Sequence, residues 1–363
     1  MKILIVAATG KGGPVVTVNK LRKGLEKEGF SVHLFNPYKI RQSSNIYNFI
    51  PSIVRTTLSD ILSIKNLLSE DYDIAIYASG TPHISLFGLH SAGIATAYYV
   101  QGYFYHEMLG WLIKGGFRTK IGVCKNILLY DLQNILKQVD LYILTCKSSG
   151  VFSRINDNYV VLPLWVFYDE ISSFAEIKEK YYSKDFKRPL IVTYTSRVYS
   201  PKIIPTNCII RLLKIIERAV HDFRAIIIDP LSTPRRFGNI IVMNSISHES
   251  FLKLLAKASL FIDTVIDEEL RHSTLEAMVL GIPVAKIVHP AYKLMLDYNE
   301  GDLLLSYSVQ DAVSKISEYL SQVEYYYNVY SKSCENFVIR KREWNIVKNP
   351  FIAALKRIVN LRT

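Results

Sequence analysis

The sequence has few cysteines and no long hydrophobic run, and these shortages exclude several classes of protein. Its 363 residues include only four cysteines. They lie far apart, without the spacing of a metal site or a redox pair, so we interpret them as small buried hydrophobic residues. They are Cys124, Cys146, Cys208 and Cys334. No apolar run approaches the roughly 20 residues that a membrane-spanning helix needs. We expect a cytoplasmic protein, with peripheral attachment to the inner membrane face as an alternative.

Motifs of common cofactor chemistry are missing as well. The glycine-rich stretch at residues 10–16, GKGGPVV, does not have the spacing G-x-G-x-x-G. No acid ends the second expected strand, at residues 31–35, where a nicotinamide enzyme binds ribose. The chain also lacks a Walker-type loop and a G-x-S-x-G motif. The histidines do not have the spacing of metal ligands. We therefore expect neither a cofactor nor a metal ion.

The chain carries a formal net charge of +12. Such an excess suits nucleic acid, an anionic membrane surface, or an anionic substrate such as a nucleotide diphosphate. Two stretches concentrate the positive charge: residues 114–125, with Lys114, Arg118, Lys120 and Lys125, and residues 340–362, with Arg340, Lys341, Arg342, Lys348, Lys356, Arg357 and Arg362. We interpret both as patches for acidic head groups, with ordinary solvated helix faces as the alternative. Nucleic acid is disfavoured because no recognition motif accompanies the charge.

Length and periodicity indicate two α/β domains. A chain of 363 residues exceeds what one core usually supports. The first half alternates short apolar runs with amphipathic helices, beginning with KILIVAA, which we interpret as a strand rather than a signal peptide. The same alternation begins again after Arg188, and such repeats predict parallel βαβ units. Gly29 is typical of a helix C-cap. We expect the interdomain connection at residues 163–189, which show no clean period, and helices from about residue 311 onwards.

A pair of cations follows the first strand of the second half. Arg197 and Lys202 lie in TSRVYSPK, directly after LIVTY. Open α/β sheets bind ligands at the ends of such strands. Two cations there would hold a diphosphate and stabilise its charge as it leaves, without a metal ion. Basic residues after a strand are nevertheless common, so the pair alone does not decide the function.

A pair of acids occupies the most informative stretch, DEELRHSTLEAMVLGIPVAKI. Glu268 and Glu276 stand eight positions apart across a strand-to-helix turn, with Ser273 and Thr274 as candidate helix caps. The first acid would accept hydrogen bonds from hexose hydroxyls and the second from a ribose diol, while amides at the helix start would face phosphates. The alternative is that Glu276 only stabilises the positive end of its helix, by about 0.3–1 kcal/mol.

Together these motifs resemble the retaining GT-B-fold glycosyltransferases often called glycosyl transferases group 1. Arg197 and Lys202 fit the Arg-x4-Lys pair of that family, and Glu268 with Glu276 fits its E-x7-E signature, followed by LEAMVLGIPVA. The resemblance covers most of the chain. It implies an α/β fold with two facing Rossmann-like domains, parallel sheets and an interdomain cleft. Residues 1–165 would form the acceptor-side domain, with a C-terminal helix at about 340–363 crossing back to it, and residues 188–335 the nucleotide-sugar donor domain.

The resemblance also implies roles for individual residues. Arg197, Lys202 and Glu268 would be catalytic, with Glu268 on the donor sugar and Glu276 on the ribose. Trp344 would serve domain closure. The residues that would bind the donor are Gly12, Gly13, Gln101, His106, Arg197, Lys202, Glu268, Glu269, Leu270, Arg271, His272, Ser273, Thr274 and Glu276. The implied reaction transfers a hexose from a UDP- or GDP-sugar to a glycan, a lipid-linked or another acceptor, with retention and without a metal ion.

The sequence departs from the family pattern at three places, one of which is a reduced Gly-rich segment near Asp229 and Pro230. Glu269, Leu270 and Arg271 stand where the family usually has glycines, and Gln101 stands where it often has a histidine, with His106 a few positions later. The altered loop and Gln101 leave open a catalytically degenerate binding or scaffold subunit. A second alternative is a GT-B sugar-nucleotide epimerase or phosphorylase, which would share the architecture.

Overall fold

The computed structural model describes residues 1–7, 13–36, 67–78, 85–100, 139–147, 158–181, 185–195, 203–220 and 222–362. The chain divides into two compact units. The first comprises Met1–Pro163 with Lys348–Thr363, and the second comprises Leu164–Val347. The sequence-based prediction of an α/β fold with parallel sheets is confirmed in each of them.

The first unit contains a six-stranded parallel sheet in the order β2-β1-β3-β4-β5-β6. Its strands are β1 (Lys2–Val6), β2 (Ser31–Phe35), β3 (Ile74–Tyr77), β4 (Ala95–Val100), β5 (Leu141–Leu144) and β6 (Tyr159–Val161), and its helices include α1 (Gly13–Lys27) and α2 (Ser85–Ser91). Strands β3, β4 and β5 are buried along their whole length. The strand order reverses between β1 and β3, so the glycine-rich stretch after β1 follows a topological switch point.

Gly29 ends the first helix as the sequence predicts. Its φ is +80°, a left-handed conformation that glycine adopts without steric cost. The Gly29 N–H donates to the Glu26 carbonyl, and the Phe30 N–H donates to the Leu25 carbonyl. This pair of hydrogen bonds is a Schellman cap, which satisfies the last carbonyls of α1 and turns the chain into β2.

The second unit contains a seven-stranded sheet in the order β13-β12-β11-β7-β8-β10-β9. Its strands are β7 (Leu190–Tyr194), β8 (Arg224–Ile228), β9 (Arg235–Phe237), β10 (Ile240–Met243), β11 (Leu260–Asp263), β12 (Val284–Ile287) and β13 (Leu304–Ser306). All pairings are parallel except that of β9 with β10. The helices include α3 (Tyr168–Tyr181), α4 (Thr206–Ala219), α5 (His248–Lys257), α6 (His272–Val279), α7 (Val309–Ser321), α8 (Val323–Lys341) and α9 (Trp344–Asn360).

Two sets of helices cover this sheet. Ile227 and Ile262 belong to a core cluster with buried residues of α4 and α7. Side chains alternate along a strand, so Phe261 points to the opposite face, where it contacts Phe251 of α5 with ring centroids 6.5 Å apart. Helix α6 packs against α3, α5 and α8. Asp263 lies two positions after Phe261 on the same strand, so its side chain points to this second face as well.

Residues 163–189, where the sequence showed no clean period and we expected the interdomain connection, contain a helix. They include α3, which packs against α5 and α6 within the second unit. Its first turn carries Asp169 and Glu170, a placement that favours the positive end of a helix. Just before it, Trp165 and Phe167 contact Trp344, with centroid distances of 5.2 and 6.1 Å. The expected helices from residue 311 onwards are confirmed as α7, α8 and α9.

Several cations of the basic C-terminal stretch form ion pairs with carboxylates of the same chain. Arg342 is 5% exposed, and its guanidinium binds the Asp297 carboxylate at 2.6 Å. In the first unit, Lys348 pairs with Glu28 at 2.8 Å and Arg362 pairs with Asp140 at 2.7 Å. These cations therefore have structural partners. Among the described residues, no helix is both long enough and apolar enough to cross a membrane.

The cysteine prediction is confirmed in part. Cys146 and Cys334 are buried, whereas Cys208 is exposed on α4. Burial raises the pKa of the Cys334 thiol to about 12, which keeps this sulfur protonated and unreactive at neutral pH. Cys124 lies outside the described residues.

Candidate functional site at the switch point of the second sheet

The strand order of the second sheet selects one place for a ligand. From β7 the chain continues to β8 on one side, whereas β11, the other neighbour of β7, leads on to β12 and β13. The order therefore reverses between β7 and β11. Ligands of open α/β sheets bind outside the carboxyl ends of the strands at such a point. The segments that follow these two strands are the ones that carry the Arg-x4-Lys and E-x7-E motifs.

Both ends of the segment that contains Arg197 and Lys202 are held beside the segment that follows β11. The Ile204 N–H donates to the Thr264 carbonyl at 2.8 Å, and Ile203 forms an antiparallel bridge with Val265. The Thr264 hydroxyl donates to the Tyr194 carbonyl at the end of β7, at 3.1 Å. Residues 196–202 themselves lie outside the described residues. The residues that flank them, Tyr194 on one side and Ile203 and Ile204 on the other, lie beside the segment that follows β11.

A buried lysine organises the segment after β11. Lys286 on β12 is fully buried, and its position pairs with Asp263 on β11 in the sheet register. The Lys286 Nζ lies 3.0 Å from Asp263 Oδ2, 2.8 Å from the Val265 carbonyl and 3.1 Å from the Glu269 carbonyl. An ammonium group has three donors, and all three are used here.

Side-chain to backbone hydrogen bonds tighten the same turn. Asp263 Oδ1 accepts from the Val265 N–H, and Asp267 Oδ1 accepts from the Glu269 N–H, both at 3.1 Å. Asp263, Asp267 and Glu268 are all at most 5% exposed. The turn thus carries three buried carboxylates, and the Lys286 ammonium binds that of Asp263.

The buried phenol of Tyr298 interacts electrostatically with the carboxylates of this turn. Tyr298 is 4% exposed, and its hydroxyl has no hydrogen-bond partner among the described residues. Burial raises the pKa of this phenol well above its ordinary value, and the carboxylates of Asp263, Asp267, Asp297 and Glu268 raise it further. Tyr298 therefore stays neutral and keeps an O–H available beside the acidic turn.

Glu276 lies beneath the surface at the start of α6. It is 4% exposed, and its Oε1 lies 3.1 Å from Nε2 of His248, the first residue of α5. The His248 side chain is 66% exposed, so the contact is at the rim of the unit. Glu276 is the fifth residue of α6, beyond the first turn where a helix dipole acts on a carboxylate. Simple stabilisation of the helix end does not account for its burial.

The helix cap differs from the sequence-based prediction. Arg271 is the N-cap residue of α6, without a side-chain hydrogen bond to the helix. Ser273 and Thr274, which the sequence suggested as caps, lie inside the first turn. The Thr274 hydroxyl is buried and has no hydrogen-bond partner among the described residues. The amides at this helix start therefore receive no side-chain cap from Arg271.

The other predicted donor residues have diverse surroundings. Leu270 is 2% exposed and packs in the interior, whereas Glu269, Arg271, His272 and Ser273 are partly exposed. Gly13 begins α1 in the first unit. The remaining predicted residues, Gly12, Gln101, His106, Arg197 and Lys202, lie outside the described residues. Glu268 to Glu276 are thus the part of the predicted site for which surroundings can be given.

Asp229 is a further buried carboxylate, after β8. It accepts from the Thr206 hydroxyl at 2.6 Å, from the Leu231 N–H at 2.9 Å and from the Ser232 hydroxyl. Burial alone would raise the pKa of this carboxyl, but the hydrogen bonds from Ser232, Thr206, Leu231 and Thr195 together outweigh it and hold the pKa below the ordinary value. Asp229 is fully engaged in shaping the turn after β8.

A groove of about 550 Å³ lies elsewhere in the second unit. Its lining includes Arg235, Arg236, Ile241 and Asn244, so it runs along the β9–β10 edge of the sheet. Strand β8 separates β10 from β7. We retain the switch point as the candidate site, because the Glu268 to Glu276 segment and the residues that flank the Arg197 to Lys202 segment lie there and not at the sheet edge.

Sequence reasoning missed Lys286, Asp263 and His248. A usable signal was present for the first two: each is a lone charge within an otherwise apolar strand, LFID and VAKI. Parallel strands are buried on both faces, so opposite charges within two such runs indicate a buried pair. His248 had no comparable signal, because a histidine at a helix start is usually solvated.

No protein-family model and no curated protein matches this chain in sequence. Solved structures do match in fold. Sucrose-phosphate synthase from Thermosynechococcus elongatus has a TM-score of 0.71 at 14% identity, covering 100% of both chains. HepE from Anabaena, solved with UDP and glucose, has a TM-score of 0.63 at 14% identity, covering 98% of this chain and all of its own. A Listeria monocytogenes protein described as a UDP-N-acetylglucosamine 2-epimerase has a TM-score of 0.56 at 13% identity, covering 99% of this chain and 97% of its own. At this identity the likeness shows the fold, and it confirms the GT-B fold class.

Proposed function

We propose that this protein is a glycosyltransferase that moves a hexose from a UDP- or GDP-sugar to a glycan, a lipid-linked or another acceptor. The observation that carries the proposal is the switch point between β7 and β11, which anchors both motif-bearing segments beside Thr264. The fold likeness to sucrose-phosphate synthase, and to HepE with its bound UDP, supports the same chemistry. The donor domain is residues 188–335 and the acceptor-side domain residues 1–165, with the helix at about 340–363.

In the proposed mechanism, Arg197 and Lys202 bind the donor diphosphate and stabilise its charge as the bond to the sugar breaks. In this mechanism no metal ion is required, because the two cations supply that stabilisation. Glu268 accepts hydrogen bonds from sugar hydroxyls, and Glu276 accepts them from the ribose diol. The contact between His248 and Glu276 is then one that a bound ribose would share or replace.

Retention of the anomeric configuration is part of the proposal and follows from the E-x7-E resemblance. We assign no enzymatic nucleophile. In the first unit, Gly12, Gly13, Gln101 and His106 complete the donor and acceptor side. Gly13 begins α1 at the switch point of its sheet, a position where exposed helix amides favour an anionic group.

A thermal-shift screen of UDP, GDP and their sugars tests donor binding, because a ligand that binds only the folded state raises the melting temperature. Arg197→Ala and Lys202→Ala should each weaken nucleotide binding by about tenfold or more, since each removes a charge-assisted hydrogen bond worth about 1.5–3 kcal/mol. Arg235→Ala is the matched control, an exposed cation on β9 away from the switch point. Unchanged UDP and GDP affinity in both site variants would contradict the assignment.

Two alternatives have different products. A degenerate binding subunit would bind a nucleotide sugar and release neither sugar nor nucleotide diphosphate in any acceptor assay. An epimerase, the class named for one structural neighbour, would change the configuration of the sugar nucleotide with no acceptor present. Mass spectrometry and NMR of the donor after incubation separate these outcomes from transfer.

A further inference from the structure

Beyond the residues that contact the donor, we propose that Lys286 is a positioning residue that shapes the sugar-binding turn from beneath. This inference rests on the proposed function, because it concerns how Glu268 is presented to the donor sugar. Its structural half, that Lys286 holds the turn in place, stands on geometry alone. Lys286 is fully buried on β12 and pairs across the sheet with Asp263.

The Lys286 ammonium bridges two backbone carbonyls of the turn. The Lys286 ammonium binds the carbonyls of Val265 and Glu269, at 2.8 and 3.1 Å. These carbonyls lie on either side of Glu268 along the chain. One cation therefore binds both ends of the stretch that carries Glu268, the predicted sugar-binding acid.

Other contacts hold the beginning and the middle of the turn. Backbone hydrogen bonds fix its beginning, from Ile204 to Thr264, and its middle, from His289 to the Ile266 carbonyl. The Glu269 carbonyl at the far end is bound by Lys286. Removing the ammonium would free the Val265 and Glu269 carbonyls from their common link, while the backbone hydrogen bonds at the beginning and middle of the turn would remain.

A lysine suits this position because the turn after Glu268 contains no glycine. The family pattern has glycines after the first Glu, whereas this chain has Glu269, Leu270 and Arg271. Leu270 is buried and contributes an apolar anchor. A side chain with three donors, rising from the neighbouring strand, binds the carbonyls of this differently shaped turn and also neutralises Asp263.

A double variant separates positioning from simple neutralisation. Lys286→Met alone leaves Asp263 buried without its cation and also frees the two carbonyls. Lys286→Met with Asp263→Asn removes both charges, yet an asparagine oxygen can still accept from the Val265 N–H. If Lys286 only neutralised Asp263, the double variant would behave like the wild type. If Lys286 positions the turn, the double variant recovers stability and not function.

The experiment measures two quantities in the wild type, both variants and a control. The first is hydrogen exchange of amides at 265–270, compared with β8. The second is the affinity for UDP and UDP-glucose, or for GDP and GDP-mannose, whichever pair the wild type binds. Tyr319→Phe is the control, because it removes a buried hydrogen bond to the Ser259 carbonyl, just before the start of β11.

We expect faster exchange at 265–270 in both Lys286 variants and no such local change in the control. The affinity for the sugar nucleotide should fall by about tenfold or more relative to that for the nucleoside diphosphate. The reason is that a displaced Glu268 would lose its charged hydrogen bond to the sugar. Wild-type exchange and a wild-type affinity ratio in the double variant would overturn the proposal. Equal losses for both ligands would also overturn it, because they would indicate damage to the whole site.

Wild-type protein that binds neither ligand pair would refute the proposed function and, with it, the sugar-recognition half of this inference. The exchange data would still decide whether Lys286 holds the turn. The two failures are therefore distinguishable.

Discussion

The buried pair of Lys286 and Asp263 gives a sharp prediction for stability. Both side chains are at most 1% exposed. Lys286→Met would leave the Asp263 carboxylate buried without its cation, and breaking such a pair costs about 3–5 kcal/mol. A domain has a total stability of about 5–15 kcal/mol, so the second unit should stay folded at room temperature. At about 2–4 °C per kcal/mol, we expect its melting temperature to fall by about 6–20 °C.

The double variant should recover part of this loss. With Asp263→Asn added, no uncompensated charge remains in the interior, and replacing a buried ion pair by uncharged groups is often close to neutral. The double variant should therefore be more stable than Lys286→Met alone, by about 1–3 kcal/mol of coupling between the two contacting positions. Tyr319→Phe, which loses one buried hydrogen bond, should cost only about 1 kcal/mol.

Tryptophan fluorescence during urea unfolding is the suitable assay. Two of the three tryptophans, Trp165 and Trp344, contact each other in the second unit, and Trp111→Phe removes the third from the signal. The transition then reports the unit that contains Lys286. A loss below about 1 kcal/mol in Lys286→Met, or a double variant as unstable as the single one, would refute the reasoning.

Three further predictions follow from other parts of the chain. Hydrogen bonds hold the pKa of Asp229 below its ordinary 3.8, so its stabilisation is present above that value and is lost as the pH falls through the folded-state pKa. Urea unfolding between pH 6 and 3 should therefore show that Asp229→Asn is less stable near pH 6 and that the difference shrinks in acid; a difference independent of pH would contradict this. Trp344→Ala should cost the second unit about 3–5 kcal/mol in urea unfolding and Trp344→Phe clearly less, because Trp344 is 1% exposed; equal losses would count against the packing argument. If residues 114–125 bind acidic head groups, neutralising Lys114, Lys120 and Lys125 should reduce sedimentation with anionic vesicles at low salt, and indifference of both proteins to lipid would remove the idea.

Periodicity sufficed to predict two parallel α/β sheets, and motif order gave the stretch in which the acids of the candidate site lie. Short apolar runs such as KILIV and LFID are buried strands because a parallel sheet is covered on both faces. Gly29 was predictable as a helix end because its backbone conformation favours glycine. Helix α3 was missed because residues 168–181 are mixed in composition, and contacts with α5 and α6 stabilise it more than any local pattern.

The sequence by itself determined which residue types stand at the strand ends of the second unit: cations after β7 and acids after β11. Only the tertiary structure decided which strands are neighbours, and therefore that β7 and β11, the strands before these two segments, lie side by side at the switch point. It likewise decided that Lys286 faces Asp263, 23 positions away, and binds the turn around Glu268. The physical reason is that burial and pairing of a charge depend on strand order and register, which connect residues distant in the chain.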